Sequence, residues 1–256
     1  MRHLATRALL LSTLLLGCSG SVDSRTRLSI FAASSLTDSF QALASEFEAQ
    51  NPSIAVELAF AGSQVLRLQI EQGASVDLFA SANQKHLQEL VDDGYMRSPK
   101  VFASTDLVMI VPIANPAEIE TFQDLTKASR IVFGNEFSPI GLYTLEVLER
   151  ATADLGSSFG SVVSERITSL ENNVRMVRAK VELGEADAAL VYRPDAITSQ
   201  GVLTLPIPDA WNVLADFPVA VSSEAPHGAE AAQFLEFLSS PVAQELLARH
   251  GFVSAS

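Results

Sequence analysis

Cysteine is almost missing from this chain. Of 256 residues only Cys18 is one, so no internal disulfide can form and stability must come from an ordinary core. Histidine is nearly as scarce. His3, His86, His227 and His250 are scattered, and no two stand at metal-ligand spacing. There is no P-loop pattern, no GxGxxG and no G-x-S-x-G elbow, so nucleotide-binding and hydrolase motifs are lacking. No serine stands in a recognised nucleophile motif with a histidine or lysine, which weighs against a serine-dependent hydrolase and against enzymes in general. Basic residues are also few, 17 Lys and Arg against 30 Asp and Glu. A surface with that balance disfavours nucleic acid and anionic membranes as partners, and it repels anions at long range. Any anion site must then work through local, fixed dipoles.

The longest apolar stretch is short. Arg2, His3 and Arg7 precede residues 8–16, an apolar run interrupted by Ser12 and Thr13 and followed by Gly17-Cys18. A basic end, a short apolar core and a small residue before a cut site describe an export signal over residues 1–17. The run is too short to remain as a membrane-spanning helix. Leu15-Leu16-Gly17-Cys18 resembles the lipobox of bacterial lipoproteins, which implies lipidation of Cys18. Residues 18–27 are polar at first and lack apolar periodicity, as expected of a tether. Loss of residues 1–17 removes Arg2 and Arg7 and no acid, leaving a net charge of −15.

From Leu28 onward the pattern alternates strand and helix. Strands are expected at 28–33, 54–60, 76–80, 106–111, 130–133, 188–192 and 215–221. Helices are expected at 37–50, 64–72, 84–93, 121–127, 141–153, 172–184, 227–238 and 241–250. Strands separated by helices read as βαβ units on a parallel sheet, an α/β fold with room for two lobes and a cleft. Four segments stand where a strand hands over to a helix: Ala33-Ser34-Ser35, Ala61-Gly62-Ser63, Ser138-Pro139-Ile140-Gly141 and Asn172-Asn173-Val174. Helix amino termini there expose N–H groups and a positive dipole end. Taken singly, each segment is better explained as simple helix capping. Gly62 and Pro139 go slightly further, since both suit close backbone approach.

The order and content of these segments carry a family resemblance. Phe31-Ala32-Ala33-Ser34-Ser35-Leu36-Thr37-Asp38, Phe60-Ala61-Gly62-Ser63-Gln64, Asp77-Leu78-Phe79-Ala80-Ser81-Ala82-Asn83, Pro139-Ile140-Gly141-Leu142-Tyr143, Asn173-Val174-Arg175 and Leu190-Val191-Tyr192-Arg193-Pro194-Asp195 follow one another in the order of bacterial molybdate-binding proteins. These are the soluble receptors of molybdate ABC importers, and the resemblance covers nearly all of the chain from Leu28. It implies a two-lobed periplasmic-binding-protein fold of type II, each lobe a mainly parallel sheet flanked by helices. Residues 28–105 with 216–256 would form one lobe and 106–215 the other. It further implies a monomer, without a cofactor, that captures molybdate or tungstate as the oxyanion with no direct metal ligand. An ABC permease would be its partner, with sulfate as the alternative ligand. By the same resemblance Ser35 and Ser63 would give hydroxyl and N–H donors, Ile140 and Val174 backbone N–H groups, and Tyr192 its phenol. The segment 134–138 departs from the family pattern: it lacks the usual Asp-Pro and is one residue shorter.

Overall fold

The computed structural model describes residues 24–255, so the expected export signal and Cys18 lie outside the described residues. β1 (Thr26–Ala33) opens the fold two residues before Leu28, drawing the end of the expected tether into the sheet. A short 3-10 turn leads into α1 (Thr37–Gln50), whose Phe40, Leu43, Ala44 and Phe47 share one buried face at helical spacing. β2 (Ile54–Ala61), α2 (Ser63–Glu71), β3 (Leu78–Ala80) and α3 (Gln84–Asp92) follow, and β1 lies between β2 and β3 with both pairings parallel.

β4 (Met96–Pro112) is much longer than the strand expected at 106–111. Its first part hid from the pattern because Ser98 has a φ of 56°, Pro99 brings no N–H, and the register shifts between Arg97 and Lys100. A 3-10 turn at Phe122–Lys127 replaces the helix expected there and is closed by a Thr121/Asp124 capping box. β5 (Ile131–Gly134), α4 (Pro139–Leu155), α5 (Ser157–Glu165), β6 (Ile167–Glu171), α6 (Val174–Glu182), β7 (Ala188–Tyr192), α7 (Arg193–Ile197) and β8 (Val202–Pro206) come next. Four of these, α5, β6, α7 and β8, were not expected. β6 and β8 are half-exposed strands without a continuous apolar run, so periodicity was weak. β9 (Leu214–Ser222), α8 (Gly228–Phe237), α9 (Pro241–Arg249) and β10 (Val253–Ser254) complete the chain.

The strands run β2-β1-β3-β9-β4-β7-β5-β6 in one hydrogen-bonded sheet, with β10 and β8 also on β4. β5 pairs in parallel with β6 and β7, as β1 does with β2 and β3. Between these parallel groups β9 and β4 run antiparallel to every neighbour. β4 pairs with β9 up to Asp106, then turns to β7 and β8 from Leu107 on. β9 brings the chain back from Leu214 and delivers it to β3. The sheet thus has two halves joined by β4 and by the β8–β9 connection. An aromatic cluster of Phe40, Phe47, Phe102, Phe234 and Phe237 fills the first half. Phe122, Phe159 and Trp211 pack in the second, with the indole N–H on Asp154 at 2.7 Å.

Candidate functional site

The handovers after β1, β2, β5 and β6 all point into one small cavity between the two halves. The volume open to the centre of a water-sized sphere is about 10 Å³, room for the centre of one small molecule or ion. Ser35 and Ser63 come from the first half, Ile140, Val174 and Tyr192 from the second, and all five line it. The five residues implied by the resemblance, drawn from segments far apart in sequence, meet at one place.

Each wall has a local cause. Ser63 is the first residue of α2, and its hydroxyl oxygen accepts the Ala82 N–H at 3.0 Å. That bond occupies a lone pair and leaves the hydroxyl proton to be donated elsewhere. Ser35 sits in the 3-10 turn before α1, is 4 % exposed, and its hydroxyl has no hydrogen-bond partner among the described residues. Across the cavity, Ser138 caps α4 by accepting the Gly141 N–H at 3.2 Å, and Asn173 caps α6 by accepting the Met176 N–H at 3.1 Å. Those caps serve the third residue of each helix. The N–H groups of Ile140 and Val174, nearer the helix start, have no acceptor in their own helix. The irregular segment before α4 is organised by Asn135, whose side chain accepts the N–H groups of Phe137 and Ser138 at 3.0 and 2.9 Å. That turn seats Ile140 despite the missing Asp-Pro.

Tyr192, at the end of β7, is 1 % exposed and held edge-on between Tyr143 and Phe217. Its hydroxyl is likewise without a partner among the described residues. Burial, helped by Tyr143 and the Asp195 charge, pushes its pKa well above the usual phenol value, so the hydroxyl stays a neutral donor. Tyr143 does not line the cavity; it packs on Tyr192. An unpartnered buried hydroxyl costs about 1–3 kcal/mol. Two of them, from opposite halves, mark a place shaped for a strong acceptor. No charged side chain lines the cavity, so its polarity comes from hydroxyls, the Asn173 amide and helix amino termini.

Three side chains join the halves around this cavity, and none of their contacts was expected from the sequence. The Gln64 amide donates to the Asn172 carbonyl at 2.7 Å, and His86 Nε2 meets the Phe137 carbonyl at 2.9 Å. Arg175 Nε reaches the Ser34 carbonyl at 3.3 Å, and its guanidinium pairs with Asp38. Gly62 lies so close to the second half that a Cβ there would stand 2.5 Å from the Asn172 carbonyl oxygen. Buried Asp195, just past Tyr192, was also passed over, because an Asp after a Pro reads as an ordinary helix start.

A cavity of neutral donors between two α/β halves joined by crossing strands defines a ligand-binding protein. Residues 28–253 match the model of the bacterial extracellular solute-binding proteins, and the chain belongs to that family. It is 32 % identical over 226 residues to the molybdate-binding protein ModA of Mycobacterium tuberculosis, covering 87 % of this chain and 83 % of that protein. With the ModA of Escherichia coli the identity is 31 % over 236 residues, 88 % of each chain. Among solved structures, the periplasmic molybdate-binding protein of Azotobacter vinelandii superposes with a TM-score of 0.78 at 22 % identity, covering 90 % of this chain and 100 % of that one. The sulfate-binding protein SubI of M. tuberculosis gives 0.80 at 18 %, with 91 % and 88 % covered. Those two likenesses establish the type II periplasmic-binding fold.

Proposed function

We propose that this chain is an extracytoplasmic receptor that captures molybdate, and tungstate with it, and delivers the ion to an ABC importer. The observation that carries the reading is the pair of buried, unpartnered hydroxyls, Ser35 and Tyr192, facing one cavity from opposite halves. Ser35, Ser63, Ile140, Val174 and Tyr192 are the proposed donors to the ion. Counting the N–H groups of both serines, about seven donors converge, each worth roughly 1.5–3 kcal/mol toward a charged acceptor. That sum outweighs association and closure costs and leaves nanomolar affinity, about −12 kcal/mol. A ligand that still carries a proton must turn one of the hydroxyls from donor to acceptor and loses that bond, which disfavours hydrogen phosphate. Sulfate has the same charge and shape and is separated only by cavity size.

The two halves act as lobes, residues 28–105 with 216–256 against 106–215, which close on the ion by hinge motion. A binding role suits the serines better than a catalytic one. The Ser63 oxygen is engaged by a backbone N–H, and the cavity that both serines line carries no histidine and no charged side chain, so no base faces either hydroxyl there. Export and a lipid on Cys18 complete the proposal. Among the described residues no helix is long and apolar enough to cross a membrane. Labelled fatty acid should enter the wild type and not Cys18→Ser.

Competitive titration calorimetry with molybdate, tungstate and sulfate tests the ligand. Tight binding of the first two with weak sulfate binding is expected. Sulfate binding as tight as molybdate would turn the reading toward a sulfate receptor, and no heat with any of the three would end it. Native mass spectrometry should recover the bound ion chemically unchanged.

A further inference from the structure

Arg175 occupies a position that the oxyanion reading does not use. It directly follows Val174, so its backbone belongs to the amino terminus of α6 that faces the cavity. Its side chain leaves the second half and reaches the first. Nε lies 3.3 Å from the carbonyl oxygen of Ser34, the residue before Ser35, and the guanidinium pairs with the Asp38 carboxylate on the first turn of α1. On its own side the same Nε lies 3.1 Å from Oδ1 of Asp195, in the short helix that Tyr192 introduces. One guanidinium therefore touches the segments that carry Ser35, Val174 and Tyr192.

We propose that Arg175 is a positioning residue that clamps the two halves together across the cleft, setting Ser35 and Val174 at the spacing one small anion requires. The inference rests on the oxyanion reading for the identity of that anion. The planar fork of an arginine suits the task, because it donates in several fixed directions at once. Lysine would keep a charge for Asp38 without the fork. The two carboxylates have different surroundings. Asp195 is fully buried, and neither of its oxygens has a hydrogen bond of good geometry even at 3.1 Å from Arg175. Asp38 is part-exposed; its burial works against the charged form, but the Arg175 hydrogen bond and charge, with smaller help from the Thr198 hydroxyl and the Arg178 charge, outweigh it and hold the carboxyl below its usual range. The Arg175 guanidinium thus lies between the two carboxylates and is hydrogen-bonded to the one on the opposite half. When the halves separate, Asp38 and the Ser34 carbonyl are lost and Asp195 remains to keep the guanidinium in place. Neighbouring Arg178 keeps its hydrogen bonds within its own half, to the Asp195 carbonyl at 2.9 Å and the Thr198 hydroxyl at 3.1 Å, reaches Asp38 only through its charge, and serves as the control.

The test compares wild type with Arg175→Met, Arg175→Lys, Asp38→Asn, the Arg175→Met/Asp38→Asn pair and Arg178→Met. Molybdate calorimetry is combined with small-angle X-ray scattering of the full chain with and without molybdate. Arg175→Met and Asp38→Asn should each weaken molybdate binding about ten-fold, the pair no more than either alone, and Arg175→Lys less than Arg175→Met. Molybdate-mixed Arg175→Met should scatter as a larger particle than molybdate-mixed wild type, while Arg178→Met should match wild type. Asp38→Asn touches only a part-exposed residue and keeps the question open to measurement if Arg175→Met does not fold. Wild-type affinity in both single variants, or losses that multiply in the pair, would overturn the clamp. If wild type itself ignores molybdate, the oxyanion reading fails and scattering decides the clamp alone: expansion of Arg175→Met or Asp38→Asn supports it, and unchanged size refutes it.

Discussion

The half of the sheet built on β1, β2 and β3 meets the cavity with two side-chain hydroxyls, Ser35 and Ser63, beside the N–H groups of the same residues, whereas the half built on β5, β6 and β7 meets it mostly with backbone. Ile140 and Val174 present N–H groups at helix starts, and Tyr192 alone adds a side chain from that half. Two contacts around the cavity repeat the contrast, and Arg175 on the Ser34 carbonyl reverses it. Gln64 and His86 reach out as side chains from the first half, and carbonyls of Asn172 and Phe137 receive them. Side-chain donors are sensitive to residue type, and backbone donors only to the chain's path. The two halves should therefore respond to substitution in different ways.

The largest effect is expected where the halves come closest. A methyl group on Gly62 would press on the Asn172 carbonyl from 2.5 Å, a backbone atom that cannot swing aside. Gly62→Ala should weaken molybdate binding roughly hundred-fold by holding the lobes apart, with its melting temperature little changed. Calorimetry beside thermal unfolding checks this; unchanged affinity would mean that this close approach of the halves is not the binding state.

Next come the hydroxyls, which differ among themselves. Ser63→Ala removes a proposed ligand donor and also orphans the buried Ala82 N–H, so about thirty-fold in affinity and about 1–3 kcal/mol of stability should go together. Ser35→Ala and Tyr192→Phe remove hydroxyls that serve nothing in the protein itself. They should cost about ten-fold in affinity and no stability. Denaturant unfolding separates the two patterns, and a loss of stability in Ser35→Ala would show that its hydroxyl has a structural partner after all.

The backbone half gives the sharpest contrast. Val174 is the first residue of α6, where proline is tolerated and its missing N–H costs the helix nothing. Val174→Pro should lose about ten-fold in molybdate affinity, while Val174→Ala, which keeps the N–H, should stay within about two-fold. Equal effects of the two would assign the contact to the side chain and erase the difference between the halves.

The same contrast explains what could be read from the chain before its structure. Strand and helix were legible wherever apolar residues kept strict spacing, as in β1, α1 and β7, where Phe40, Leu43 and Phe47 or the run from Ala188 to Tyr192 leave little choice. The first part of β4 was not, because Ser98 and Pro99 break a strand whose pairing is decided by distant β9. Serines at strand-to-helix handovers announced polar chemistry by residue type. Ile140 and Val174 did not; an apolar side chain says nothing about the N–H behind it, and only resemblance to a family pointed there. Gly62, Gln64, His86 and Arg175 matter through partners in the other half, more than fifty positions away in each case, which local pattern does not register.

His86 offers the finest test, because its contribution can be changed by pH alone. Its Nε2 donates to the Phe137 carbonyl, which fixes the neutral tautomer, while Nδ1 is buried without a partner among the described residues. Burial disfavours the charged ring; the Phe137 bond opposes this in part, and nearby Arg67 and Lys85 add to it, so the pKa falls to about 4. An unfolded chain takes up that proton near pH 6.5. Between those values the unfolded state binds more protons, so the stability due to neutral His86 is present above about pH 6.5 and is lost as pH falls toward 4. Glutamine can keep a donor to Phe137 but cannot titrate. His86→Gln should melt below wild type at pH 7, and the gap should narrow by roughly 2–4 °C on going to pH 4.5. Buried Asp195, raised by burial to about 7 despite Arg175 and Arg178, acts in the opposite sense, its contribution fading as pH rises from about 4 to 7. Because Asp195 is unchanged in both proteins, the gap between them isolates the histidine. A gap independent of pH would show that the bridge from α3 to Phe137 does not hold His86 neutral, and the seam between side-chain half and backbone half would have to be redrawn at that point.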